Sequence, residues 1–373
     1  MAHTTHNILF LNSIEKSIWG GLENWMELSA QGLAHRGHRV WAAGRAASVF
    51  IRRIGAHSDI GVIPLEIGGD FNPVTIQNIA RNIREHHINV VLCNFVKDVR
   101  LAGLARKLTG GCKIVWTPGV NLAKKSLSHK WLFSGFVDRA IVPSAALKDE
   151  IIASGFIESS RIAVIPIGID DALWRGSREE GRKFIRARYN LPDDAFVCLT
   201  SGRFVKQKGH CHLVEAARVL VRKYPNIFFL LLGDGPLQPD LLRQIKQNQL
   251  TDRFVLCGIL DRHQDAVFGA DLYVHPAVVE PFGIVLVEAM AASLPVVATR
   301  VGGIPEVVEE GKTAFLIEPA DPGQLTNAIE RFYNDPSLRA SYGQAGYKRY
   351  VGCYRLETMI DRIEGALDET AVS

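Results

Sequence analysis

Glu280-Pro281-Phe282-Gly283-Ile284-Val285-Leu286-Val287-Glu288 decides the reading of this 373-residue chain. The stretch follows an apolar run, Leu272 to Val278, and Gly283 opens an unbroken helical sequence, Ile284 to Ala292, before Pro295 starts another strand-like run. The order is strand, tight turn, helix, strand. Such a turn leaves the N–H groups around Phe282, Gly283, Ile284 and Val285 at the positive end of a helix, where an anion can be held without a charged side chain. Glu288 lies one turn beyond Ile284 on the same helical face, placed to accept hydrogen bonds from hydroxyl groups. A bare pair of glutamates at this spacing would be two solvated surface residues. Here Glu288 sits within an almost wholly apolar helix, and a buried carboxylate needs partners.

Working outward, short apolar runs alternate with helical stretches along the chain. Asn7 to Leu11 reads as a strand, followed by the loop Ser17-Ile18-Trp19-Gly20-Gly21, a helix from about Leu22 to Arg36, and a strand Arg39 to Ala43. Val62 to Leu65, Val90 to Cys93, Ile114 to Thr117, Arg139 to Pro143 and Ile162 to Pro166 continue the alternation. A polar stretch, Trp174 to Tyr189, separates these from a second series: Phe196 to Ser201, a helix His210 to Tyr224, Phe228 to Leu232, Phe254 to Cys257, the run before Glu280, and Val296 to Thr299. Regular alternation predicts α/β architecture with mostly parallel sheets covered on both faces. The length suits two such domains, and ligands then belong at the carboxyl ends of the strands. The tail from about Gly346 to Leu367 reads as a helix.

Composition narrows the classes. Hydrophobic residues make up 47% and charged residues 22%, the balance of a globular protein. Residues 1–172 carry 19 Lys and Arg against 14 Asp and Glu, leaving the remainder near neutral. That surplus, with no basic stripe interleaved with aromatics, argues against nucleic acid as a partner. The six cysteines are scattered without a C-x-x-C pair, as for reduced thiols, and no metal site is signalled. His210 and His212 are too close on one helix to converge on a metal. Asn7 leads directly into Ile8-Leu9-Phe10-Leu11 without a charged leader region, and no apolar run is long enough to span a bilayer, so a cytoplasmic location is expected. The diglycine Gly20-Gly21 is not a G-x-G-x-x-G, which argues against a dinucleotide cofactor.

A second chemical signal is Gly202-Arg203-Phe204-Val205-Lys206-Gln207-Lys208-Gly209, between a strand and a helix. Fixed cations there would stabilise negative charge growing on a leaving group. Gly302-Gly303-Ile304-Pro305-Glu306 forms a further turn at a strand end, with glycines that permit close backbone approach and Glu306 as a helix-start residue. Gly233-Asp234-Gly235-Pro236 reads as structural.

On these residues the chain resembles the retaining family 4 glycosyltransferases of the GT-B fold. The E-x7-E signature matches Glu280 and Glu288, G-R-x4-K-G matches Gly202 to Gly209, and G-G-x-P-E matches Gly302 to Glu306. The resemblance implies two doubly wound Rossmann-like domains facing across a cleft: an acceptor domain over 1–172, a donor domain over 173–345, and a terminal helix over 346–373 packing back on the first. Ile167-Gly168-Ile169-Asp170 takes the place of the family's interdomain "NGID". The implied activity is retaining transfer of a sugar from a nucleotide-diphosphate sugar to a glycan or lipid-linked acceptor, as in cell-surface polysaccharide or lipopolysaccharide biosynthesis. Glu280, Arg203 and Lys208 become catalytic. Gly20, Gly21, Gly202, Cys257, Gly258, Phe282, Gly283, Ile284, Val285 and Glu288 become donor-binding, with Glu288 on the ribose and Glu280 beside the anomeric carbon.

No Asp-x-Asp occurs, so metal-independent chemistry without a cofactor is expected. The sequence departs from the family where many members carry a His after the strand ending at Thr117; here Pro118-Gly119-Val120-Asn121 follow, and Asn94, Lys97 and Asn121 stand as acceptor-side substitutes. Rival readings are a GT-B-type nucleotide-sugar epimerase, a phosphorylase, or a nucleotide-sugar-binding module without turnover. Finally, Lys124-Lys125-Ser126-Leu127-Ser128-His129-Lys130-Trp131-Leu132-Phe133 combines three lysines with an apolar cluster, a composition suited to peripheral contact with an anionic membrane.

Overall fold

The computed structural model describes residues 4–14, 20–119, 134–155 and 157–372. Asn121 and the lysine-rich stretch Lys124 to Phe133 lie outside the described residues. The chain divides into two units, Met1–Ile167 with Leu356–Ser373, and Gly168–Arg355.

The first unit is built on seven parallel strands: β1 (Asn7–Asn12), β2 (Arg39–Gly44), β3 (Ile60–Pro64), β4 (Val90–Cys93), β5 (Lys113–Trp116), β6 (Arg139–Val142) and β7 (Ile162–Val164). Their order is β3-β2-β1-β4-β5-β6-β7. Side chains alternate across the pleat, so Leu9 and Leu11 enter one core with Val91 and Trp116, while Ile8 and Phe10 enter the other with Val90 and Val115. Helices cover both faces, as the near-continuous apolar strands require.

The second unit holds six parallel strands: β8 (Phe196–Ser201), β9 (Ile227–Leu232), β10 (Phe254–Gly258), β11 (Leu272–His275), β12 (Val296–Thr299) and β13 (Ala314–Ile317), in the order β10-β9-β8-β11-β12-β13. Each unit thus reverses its winding once, between β1 and β4 and between β8 and β11, and ligands bind such sheets at the carboxyl ends beside that reversal.

Four details differ from the sequence expectation. The strand expected to reach Val278 stops at His275, because Pro276 has no N–H to donate to a neighbour. The polar stretch 174–189 contains a helix, Arg178–Tyr189, capped by Ser177, whose hydroxyl accepts from the Glu180 amide at 3.1 Å. Its Arg182 reaches the buried Asp271 at 2.9 Å, and Asp271 also accepts from the Val197 amide. The boundary expected after residue 172 falls after Ile167: the Ile169 amide donates to the Tyr354 carbonyl at 3.0 Å, which binds Gly168 to Asp171 into the second unit. The boundary expected at 345/346 lies instead at Arg355/Leu356. Two helices occupy the tail, Pro336–Cys353 packing on Ile284–Ala291 in the second unit, and Leu356–Val372 returning to the first.

That last helix buries Met359, Ile360, Ile363 and Leu367 against the first unit's core. Its buried Glu364 accepts from His38 Nε2 at 2.9 Å and from Arg36 at 2.9 Å. The His6 amide donates to His38 Nδ1, so His38 carries its proton on Nε2 and donates it to Glu364.

Candidate active site

The second unit's reversal point carries a cluster of charged and polar side chains. β8 delivers the loop Gly202–Gly209, and β11 ends on His275, five residues before Glu280. The Gly202–Gly209 loop is fastened by Phe204, whose amide donates to the Asp234 carbonyl at 2.9 Å and whose carbonyl accepts from Leu237 at 3.0 Å. The Gln207 carbonyl accepts from the Val278 amide at 2.8 Å, tying this loop to the one that carries Glu280. From the other side Gly303 donates to the Glu280 carbonyl at 3.0 Å. Gly302, at φ +49°, is the residue that makes room: a Cβ there would stand 2.1 Å from the Glu280 carbonyl oxygen. The glycines expected to permit a close approach therefore hold the backbone of the Glu280 loop itself.

Glu280 is 7% exposed. Its Oε2 accepts from Lys208 Nζ at 2.5 Å and from His275 Nε2 at 2.8 Å. Burial pushes the Glu280 carboxyl up, but the His275 hydrogen bond and the Lys208 charge outweigh it and bring it down to about 2. Burial lowers His275, which stays neutral. The neighbouring His210 is lowered to about 3 by burial, then by His275 and Lys208. The site therefore holds one fixed cation and one fixed anion between neutral imidazoles.

Gly283, with φ +95°, turns the chain into the helix Ile284–Ala291. The Leu286 amide closes on the Gly283 carbonyl at 2.9 Å, leaving the Ile284 and Val285 amides at the open helix end. Phe282 is buried edge-on to Tyr354. Glu288, half-buried one turn on, faces His263 Nε2 at 3.7 Å. Burial presses His263 down, yet the Glu288 carboxylate outweighs it and raises it. Arg203 is exposed and pairs with no carboxylate among the described residues. Cys257 and Gly258 end β10 at the sheet edge, and the Cys257 thiol, pushed up to about 11 by burial, stays protonated.

In the first unit, Gly20 caps the helix Gly21–His35, and burial raises the carboxyl of Glu23 in its first turn, with the Glu23 and Gly20 backbone pulling the other way. Asn94, just after β4 and fully buried, accepts from the Thr117 hydroxyl at 2.5 Å through Oδ1, while its Nδ2 has no hydrogen-bond partner among the described residues. Lys97 is half-buried in the first turn of Val96–Thr109. Beside it Asp98 is fully buried, and burial raises it to about 7. Among the described residues no group of three His, Cys, Asp or Glu could hold a metal ion, and no helix is long and apolar enough to cross a membrane.

Of the residues expected from the sequence, the structure brings Lys208 and Glu280 together and sets Glu288 against His263; His275 and His263 were not among those expected. His275 stood in a run read only as apolar, although a histidine ending a strand five residues before a key carboxylate was the available signal.

The profile described as "Glycosyltransferase Family 4" matches residues 19–173, and "Glycosyl transferases group 1" matches 181–349. An alpha-D-kanosaminyltransferase of Streptomyces kanamyceticus is 29% identical over 224 residues, 60% of this chain and 58% of that protein. The lipopolysaccharide core biosynthesis glycosyltransferase LpsE of Rhizobium meliloti is 31% identical over 176 residues, 47% of this chain and 51% of that protein. The chain thus spans about half the length of the curated relatives it matches. The crystal structure of Anabaena HepE with UDP and glucose aligns over 97% of this chain and 99% of its own, with a TM-score of 0.85 and 24% identity.

The two sheets, their strand order and this likeness define a chain of the GT-B fold. It belongs to the family 4 glycosyltransferases.

Proposed function

We propose that the protein transfers a sugar from a nucleotide-diphosphate sugar to a glycan or lipid-linked acceptor, with retention at the anomeric carbon and without a metal or other cofactor. The observation that carries this reading is the Lys208–Glu280–His275 cluster next to the open amide end of Ile284–Ala291. A carboxylate kept ionised suits the positive charge that develops at an anomeric carbon, and a cation with helix amides suits the departing diphosphate. In this reading Lys208, Arg203 and the Ile284 and Val285 amides take up the diphosphate charge. Glu288 holds the ribose, and Gly202, Cys257, Gly258, Phe282 and Gly283 shape the rest of the donor site. The C1–O bond to phosphate breaks while the acceptor oxygen bonds to C1 on the same face, and the acceptor proton passes to a phosphate oxygen.

The acceptor is assigned to the first unit, with Asn94 and Lys97 as its polar contacts; the Asn94 Nδ2, which has no hydrogen-bond partner among the described residues, supports that choice. The name of the Rhizobium relative supports a role in cell-surface glycan assembly. The lysines of the Lys124–Phe133 stretch support loose attachment to an anionic cytoplasmic membrane face, and the small basic surplus without an aromatic-interleaved basic stripe supports no role with nucleic acid.

The test begins with thermal shift against UDP-, GDP- and ADP-linked sugars. The stabilising donor is then incubated with lipid and glycan fractions, and the new anomeric linkage is read by NMR. Transfer with inversion, or no product from any fraction, overturns the proposal. Conversion of the donor without acceptor indicates an epimerase, and conversion only with inorganic phosphate indicates a phosphorylase. Co-sedimentation with anionic vesicles at low and high salt tests the attachment. Protein that stays in the supernatant at low salt refutes it.

A further inference from the structure

Both donors to Glu280 converge on one oxygen. Lys208 Nζ and His275 Nε2 each bond Oε2, while Oε1 accepts no hydrogen bond from any described residue and keeps access to solvent. The carboxylate is thus pinned by one oxygen and presented by the other. The two pins differ in kind. Lys208 ends a flexible stem with its side chain 25% exposed, whereas His275 is 1% exposed, ends β11, and has its ring 6.5 Å from that of Tyr273.

Resting on the transfer reading above, Lys208 must also serve the donor's diphosphate, and an incoming anion competes with Glu280 for its ammonium. We propose that His275 is the positioning residue of this site: its Nε2–H holds Glu280 Oε2 in place, so that Oε1 stays aimed at the sugar when Lys208 turns to the diphosphate. An ionised carboxylate only accepts, so the contact fixes the proton on Nε2. The ring's burial keeps it neutral, which makes this a hydrogen-bonding role rather than a charge role.

The groups around Glu280 come from three elements. Lys208 and His210 flank Gly209 at the start of His210–Lys223, Tyr273 and His275 come from β11, and Glu288 from Ile284–Ala291. Removing His275 deletes the leading hydrogen bond that holds Glu280 low, so its folded value rises. Activity that needs the carboxylate ionised is then lost at higher pH than in the wild type.

The experiment compares His275→Leu, which removes the donor, with His275→Gln, whose amide can restore it. With the nucleotide sugar selected above, His275→Leu is expected to lower kcat about ten- to hundredfold. Calorimetric affinity for UDP, GDP or ADP stays within about twofold of wild type, since the nucleotide is held elsewhere. The acid limb of kcat moves to higher pH, and His275→Gln recovers most of both changes. Equal losses in the two variants with an unmoved acid limb would indicate packing alone and overturn the proposal, as would a His275→Leu enzyme of wild-type kcat. ¹⁵N NMR of labelled histidine supplies an arm that needs no turnover. A neutral Nε2–H tautomer at His275 supports the proposal, and a charged or Nδ1–H ring overturns it. If wild type turns over no nucleotide sugar while His275 shows that tautomer, the transfer reading has failed and the pinning of Glu280 has not.

Discussion

Lys208→Met removes the ammonium while keeping most of the stem, and the structure sets the size of its effect. Stripping one partner from a fully buried ion pair costs about 3–5 kcal/mol, because the remaining charge is stranded. Two features reduce that here: His275 still donates to Glu280, and the Lys208 side chain is 25% exposed, so solvent already screens part of the pair. A loss of about 1–2 kcal/mol is expected, which for a unit of this size lowers its transition by roughly 2–8 °C. Glu280→Gln deletes the other charge, and in the double variant neither charge is stranded. The double variant should be more stable than the sum of the singles predicts, by about 1 kcal/mol. Scanning calorimetry of the four proteins at neutral pH gives the cycle, and steady-state kinetics on the Lys208→Met protein should show kcat reduced by roughly a hundredfold or more. Additive losses within about 0.5 kcal/mol would refute the coupling on which the site's electrostatics have been argued.

Three further outcomes follow from the same geometry. Glu288→Gln should weaken binding of the free nucleotide in calorimetry, whereas Glu280→Gln should leave it nearly intact and impair transfer; equal loss of affinity would show that the two carboxylates do not divide the donor between them. Gly302→Ala places a methyl 2.1 Å from the Glu280 carbonyl, so the loop must shift, and kcat should fall about a hundredfold while circular dichroism stays native; unchanged kcat would show that the clamp is dispensable. Glu364→Ala strips the acceptor from His38 and Arg36, and should cost about 1–3 kcal/mol with faster hydrogen exchange across 356–370; unaltered exchange there would mean that apolar packing alone holds the helix.

Much of this was legible because it is local. Strands β1, β4, β8 and β12 announce themselves as apolar runs bounded by turn residues, and the Glu280–Glu288 helix by Gly283 and its periodicity. Ser177-x-x-Glu180 was an unused capping signal for Arg178–Tyr189: the polar composition drew attention, although Arg182 and Arg178 make that helix by reaching Asp271 beneath it. The break between Pro336–Cys353 and Leu356–Val372 was hidden for another reason. It is made by distant partners: Ile169 bonds the Tyr354 carbonyl and the Tyr354 hydroxyl bonds the Glu306 carbonyl at 3.0 Å, and periodicity carries no record of either. His275 was hidden in the same way. Its meaning depends on Glu280 being turned back upon it by the loop that Gly303 and Gln207 fasten.

The return of Leu356–Val372 to the first unit has a consequence for synthesis on the ribosome. Residues 4–167 emerge first but leave Ile8, Phe10, Trp25 and Met26 without the helix that completes their core. Residues 168–355 follow and contain all six strands of their own sheet, so the later-made half can finish before the earlier one does. Until Met359, Ile360, Ile363 and Leu367 arrive, the nascent first unit carries an open apolar face. A chaperone that recognises such surfaces would therefore hold the amino-terminal half until the end of synthesis, and a ribosome stalled near Arg355 would display one finished unit and one unfinished one.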